Sequence, residues 1–215
     1  MTSIRRLFAA SFLVLAACAA LAQKPEPRVR LELAGAQVLG NTQAPLTMVE
    51  FSDYECTFCQ QYHATAFVEL KRDFIDTGKL RYVVRDYPLP THRNAARAAR
   101  AAHCAADQGR FWEMHSALLK GEPLDLQTIV ESAEKLGLDG PRLSACIESG
   151  QFDAAIRKGI AEANAAGVNS TPTFVIGTSR GGGVEGTRFA GLLPYADYAA
   201  RIEALLPDAS RGNPR

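Results

Sequence analysis

Cys56-Thr57-Phe58-Cys59 stands where a short, mostly apolar segment with strand character, Thr47 to Ser52, gives way to about twenty residues of helical spacing. A cysteine at the opening turn of a helix lies near unsatisfied backbone N–H groups and the positive end of the helix dipole, and both favour thiolate over thiol. Cys59, three residues on, shares that helix face and is close enough to close a disulfide within one turn. The pair can therefore cycle between dithiol and disulfide. A permanent structural bridge is the weaker reading, because so short a loop constrains little chain entropy. Zinc is a third reading, since Cys56, Cys59 and His63 form a C-x-x-C-x-x-x-H run. No fourth ligand lies nearby in sequence, although folding could bring in His92 or His103. The sequence is read as redox-active with no metal, and His63 as an ordinary helix residue.

The rest of the chain supports an α/β scaffold around that junction. Phe58, Tyr62, Phe67, Leu70 and Phe74 recur at helical spacing over 57–76, Gly78 ends the helix, and Leu80 to Val84 reads as the next strand. Residues 47–84 thus form a strand-helix-strand unit, whose parallel crossover should be right-handed. From about His92 to Gly167 the chain is Ala-rich and helix-favouring, with breaks near Gly109, Gly121, Gly137 to Pro141 and Gly150. Thr173 to Ile176 and Thr187 to Ala190 read as two strands around a turn at Gly181 to Gly183, and Pro194 to Leu206 as a closing helix. Residues 29–39 are expected to add one more strand.

Charge and cysteine usage narrow the setting. The 215 residues carry 24 Lys plus Arg against 23 Asp plus Glu, and 47% are hydrophobic, which suits one globular domain. Near-neutral charge disfavours a nucleic-acid surface. After the first 22 residues no uncharged apolar run approaches the ~20 residues needed to span a bilayer. Arg5 and Arg6 followed by apolar Leu7 to Ala17 read as an export signal. Ala20-Leu21-Ala22 offers cleavage after residue 22, while Leu15-Ala16-Ala17-Cys18 resembles a bacterial lipobox that would place a lipid anchor on Cys18. Residues 23–37 suit a leader or tether, and 207–215 a frayed tail. Export permits disulfides. Without Cys18 four cysteines remain, and local spacing favours Cys56 with Cys59, leaving Cys104 for Cys146.

Val49 to Cys59, reading VEFSDYECTFC, resembles the active-site segment of DsbA-like thiol-disulfide oxidoreductases of the thioredoxin superfamily. Arg110 to His115 resembles the aromatic segment of that family's helical insertion, and Ser170-Thr171-Pro172-Thr173-Phe174 its cis-proline loop. The resemblance implies a thioredoxin fold over 38–206 with an inserted helical domain at about 90–166. It matches Cys56 to the nucleophile, Cys59 to the resolving cysteine, and Glu50 to a buried acid that exchanges a proton with the inner thiol. Burial would raise that carboxyl's pKa toward the working pH. An outward-facing strand acid is the other reading of Glu50, and alternation with Val49 and Phe51 leaves both open. Pro172 matches the cis-proline, with Thr171 a substrate contact beside it. A second disulfide occurs in the insertion of some relatives, which would suit Cys104 and Cys146; two buried free thiols are the alternative. Phe111, Trp112 and Met114 read first as insertion core.

The implied activity is an exported oxidoreductase, periplasmic or lipid-anchored, without cofactor, that introduces disulfides into reduced or misoxidised exported polypeptides. A membrane redox partner would recycle it. An isomerase or reductase using the same pair is the runner-up. The short stretch ahead of the fold is expected to favour an oxidase and a monomer, because family isomerases carry an N-terminal dimerisation domain. A non-catalytic zinc- or protein-binding module is the rival of another class.

Overall fold

The computed structural model describes residues 26–180 and 182–207. The expected export signal, both expected cleavage positions, Cys18 and residues 208–215 lie outside the described residues. Six strands form one sheet in the order β1-β6-β5-β3-β4-β2. At its centre is β3 (Leu46–Ser52), every residue of which is buried. It pairs in parallel with β4 (Leu80–Asp86) and antiparallel with β5 (Thr173–Arg180), which pairs antiparallel with β6 (Gly183–Ala190). The edges are β1 (Arg28–Glu32) on β6 and β2 (Val38–Leu39) on β4.

Two elements depart from expectation at the N-terminal side. Residues 29–39 contribute two strands on opposite edges of the sheet, and the stretch expected as a leader or tether contains the first of them. Alternation within so short a stretch carries no information on which edge each part joins. At the other hairpin, Gly183 opens β6 instead of closing a turn.

The residues between β3 and β4 form a broken helix, where the sequence periodicity predicts a continuous one. Helix α1 (Thr57–Ala64) stops at Thr65, whose backbone leaves the helical region (φ −126°, ψ −95°) and whose hydroxyl donates to the Gln61 carbonyl at 2.7 Å. Helix α2 (Ala66–Leu70) follows, then a π-helical turn at Lys71–Ile75. Gly78, at φ 74°, reverses the chain into β4. Apolar spacing survives the break, so the inner face stays continuous: Tyr62, Phe67, Leu70 and Phe74 pack with Leu46, Met48 and Tyr82 of the sheet and with Tyr198 and Ile202 of α8 (Tyr195–Leu205).

The opposite face of β3 presents Val49 and Phe51 to Val83, Val175 and Val184, covered by Ala163 of α7 (Asp153–Ala165). Five helices, α3 (Ala95–Ala106), α4 (Phe111–Leu118), α5 (Leu126–Lys135), α6 (Gly140–Ser149) and α7, lie between β4 and β5 in sequence. The first four, with Ile156 of α7, enclose a second core that contains Phe111 and Met114 and takes in Tyr54, Cys56 and Cys59. Cys104 of α3 is joined to Cys146 of α6. Trp112 packs against this core and the sheet core, and its indole N–H reaches the Val38 carbonyl at 3.3 Å. No helix of the described residues is long and apolar enough to cross a membrane.

Candidate active site

The turn between β3 and α1 is pinned by three consecutive side chains, each to a different part of the insertion side. Asp53 accepts from the Leu89 backbone N–H at 2.7 Å and lies 2.9 Å from His92 Nδ1. The Tyr54 hydroxyl lies 2.9 Å from His115 Nδ1 on α4. Glu55 accepts from the backbone N–H groups of Asn94 and Ala95 at the start of α3, satisfying donors that a helix N-terminus leaves open. This clamp sets the position of Cys56, whose extended backbone (φ −73°, ψ 115°) caps α1.

Cys56 and Cys59 are free thiols. Cys56 keeps 6% of its surface exposed and Cys59 none. The Thr171–Pro172 bond is cis, and it turns the Thr171 carbonyl to 3.3 Å from Cys56 Sγ. A hydrogen bond from the Cys59 thiol draws the Cys56 pKa down to about 5, from an ordinary value of 9.0. The Thr171 hydroxyl, buried and without another partner, adds to this, as do the backbone N–H groups of Cys59 and Phe58. Burial pushes the Cys59 thiol far upward, and the neighbouring Cys56 and Glu50 charges push it further. One sulfur is therefore a thiolate at neutral pH while the other holds its proton, the split that a nucleophile and a resolving thiol require.

Glu50 lies on the face of β3 shared with Leu46 and Met48, beneath α1, and is fully buried. His63 Nε2 donates to its Oε2 at 2.7 Å and the Tyr82 hydroxyl to the same oxygen at 2.5 Å. Tyr62 extends the network, its hydroxyl 3.2 Å from that of Tyr82. Burial and the Glu50 charge hold the Tyr82 hydroxyl well above its ordinary range, so it remains a donor. The direction of the Glu50 shift corrects the sequence expectation. Burial does push the carboxyl up, but the charge and hydrogen bond of His63, helped by Tyr82, outweigh it and leave the pKa below 4.5. His63 is thus no ordinary helix residue. The C-x-x-C-x-x-x-H run does not converge as a zinc site: His63 turns to Glu50 and His115, and neither cysteine sulfur joins that cluster.

His115 completes the set. It is fully buried, its ring 4.9 Å from that of His63, and burial followed by the His63 charge lowers its pKa to about 3. Sequence reading weighed His63 only as a zinc ligand and passed over Tyr82 and His115, because neither the run nor the aromatic segment says which side chains share a partner. Only their convergence on Glu50 distinguishes them.

A family model described as thioredoxin matches residues 33–186. An Na(+)/H(+) antiporter NhaA of Herminiimonas arsenicoxydans is 36% identical over 180 residues, 83% of this chain and 26% of that protein, so the chain spans about a quarter of the length of the curated antiporters it matches. Among solved structures, alpha-DsbA1 of Wolbachia pipientis superposes with a TM-score of 0.71 at 24% identity, covering 81% of this chain and 92% of that one. A thioredoxin-like oxidoreductase of Silicibacter pomeroyi DSS-3 superposes with a TM-score of 0.66 at 28% identity, covering 79% and 91%. With its cysteine pair, facing cis-proline and helical insertion, the chain belongs to the thioredoxin family and has the DsbA-like architecture.

Proposed function

We propose that this protein is a thiol-disulfide oxidoreductase that works in the oxidising direction on exported polypeptides. The observation that carries the reading is the placement of two free cysteines: Cys56 caps α1 with the loop of the cis Thr171–Pro172 bond against its sulfur, and Cys59, three residues on, is fully buried; the downward shift of the Cys56 pKa and the upward shift at Cys59 accord with it. In the oxidised enzyme a substrate thiolate attacks the Cys56–Cys59 disulfide at Cys56. A mixed disulfide forms and the electron pair leaves on Cys59, which takes up a proton. A second substrate thiolate attacks its partner sulfur in the mixed disulfide, the substrate disulfide forms, and Cys56 departs as a thiolate. The substrate loses two electrons and the enzyme is left as dithiol.

Each role has a physical basis. The proposed proton exchange between Glu50 and the buried inner thiol is supported by the Glu50 charge acting on Cys59 and by the His63 and Tyr82 donors that hold the carboxylate. Thr171 and Pro172 face Cys56, where an extended substrate segment would lie, and Phe58, exposed to 58%, offers an apolar contact beside it. A stabilised thiolate favours the reduced enzyme and so makes its disulfide a stronger oxidant. Recharging then needs an electron acceptor, and a membrane redox partner suits an exported enzyme. The basic Arg5-Arg6 and the apolar run from Leu7 to Ala17 support the reading of an exported protein, soluble or anchored through Cys18.

Equilibration with glutathione buffers of known ratio, read by alkylation of Cys56, tests the direction. The expected potential lies above about −180 mV, toward the strongly oxidising end of the family. A value near about −270 mV would make the protein a reductant, and cysteines that never change state would end the exchange reading. Cys59→Ala is expected to accumulate mixed disulfides through Cys56.

A further inference from the structure

Below the cysteine pair, three metal-ligating side chains from three separate elements converge. One carboxylate oxygen of Glu50 on β3 and one ring nitrogen each of His63 on α1 and His115 on α4 all lie within 4.8 Å of one another. Glu50 and His115 are fully buried, yet Glu50 Oε1 and His115 Nε2 have no hydrogen-bond partner. A buried polar atom left unsatisfied costs about 1–3 kcal/mol, so two in one cluster point to a group that joins them. Outer partners are already in place. Tyr82 bonds Glu50 Oε2, and Tyr54 occupies His115 Nδ1, which leaves Nε2 as that ring's free nitrogen. Such second-shell contacts orient metal ligands.

We propose that Glu50, His63 and His115 bind one divalent cation, with Zn²⁺ the best fit. Two imidazole nitrogens and one carboxylate oxygen are a borderline donor set that zinc takes with its fourth position open. Ligand atoms on a tetrahedral zinc sit roughly 3.3 Å apart, as its ~2.0–2.1 Å bonds dictate, so the side chains close in by an ångström or so. The proton between His63 and Glu50 leaves to solvent as the ion enters. Access is from the side of His63, whose side chain keeps 7% exposure and lines a cleft of about 690 Å³ with Phe67, Ser116 and Leu119. Neither cysteine sulfur is among the three ligand atoms, so metal binding is read in a variant without either thiol, although Glu50 and His63 also serve the proposed proton exchange.

The test is titration of the full chain carrying Cys56→Ser and Cys59→Ser with Co²⁺, then Zn²⁺, followed by absorption spectroscopy and calorimetry. The expected result is one Co²⁺ per chain, with visible d–d bands, no thiolate charge-transfer band, and displacement by Zn²⁺. Adding His115→Gln is expected to weaken binding at least tenfold, while His103→Gln leaves it unchanged. His63→Gln, at the more accessible ligand, repeats the test should the His115 variant lose its native circular dichroism. Absence of binding in the serine variant, unchanged affinity in the two ligand variants, or loss of binding in the His103 control would each overturn the proposal.

Discussion

At the scale of single residues, the site works by holding two identical side chains in opposite protonation states. The Cys59 thiol is the strongest of the donors that stabilise the Cys56 thiolate. Cys59→Ala should therefore move the absorbance titration of Cys56 upward from about 5 by at least one unit, measured on the reduced protein at 240 nm. Glu50 is held ionised by His63 despite complete burial. Its pKa is depressed, so its contribution to stability is present above the ordinary carboxyl value of 4.5 and is lost as pH falls through the lower folded value. Glu50→Ala leaves His63 without its buried partner and is expected to cost about 3–5 kcal/mol in urea unfolding. Glu50→Gln keeps the volume and should slow the Cys59-dependent step about 10²-fold in stopped-flow exchange.

At the scale of elements, the geometry depends on how the insertion is tied to the sheet domain. Asp53, Tyr54 and Glu55 attach the turn before Cys56 to the 89–92 loop, α4 and α3 in succession. Within the insertion, the Cys104–Cys146 disulfide closes a loop of 42 positions between α3 and α6. Replacing both by alanine is expected to lower stability by about 3–4 kcal/mol in the chain-entropy account. Calorimetry would measure that loss.

For the whole molecule, the redox state and the folding equilibrium are linked through Cys56. Its pKa is lowered on folding, so the reduced form gains stability that is fully present above the unfolded value of 9.0 and fades as pH falls toward about 5. The oxidised form has no such term. The reduced protein should consequently melt above the oxidised protein at pH 7, with the gap narrowing as pH approaches 5, as paired thermal scans over that range would show. An oxidised form that melts higher at pH 7 would contradict the assigned thiolate.

The sequence by itself determined what local chemistry can encode: a redox-capable pair at a strand-to-helix junction, the parallel strand-helix-strand unit around it, and the helical block between β4 and β5. Those depend on spacing and composition within a few residues, which the chain states directly. The break at Thr65 escaped notice because hydrophobic spacing runs through it unchanged. Which way Glu50 faces was beyond reach for a related reason, since β3 is buried on both sides and its alternation separates no wet face from a dry one. Only the tertiary structure brought His63, Tyr82 and His115 onto that carboxylate, from positions 13 to 65 residues away along the chain. The sign of its pKa shift changed with them, because a buried charge answers to its nearest partners more than to burial alone.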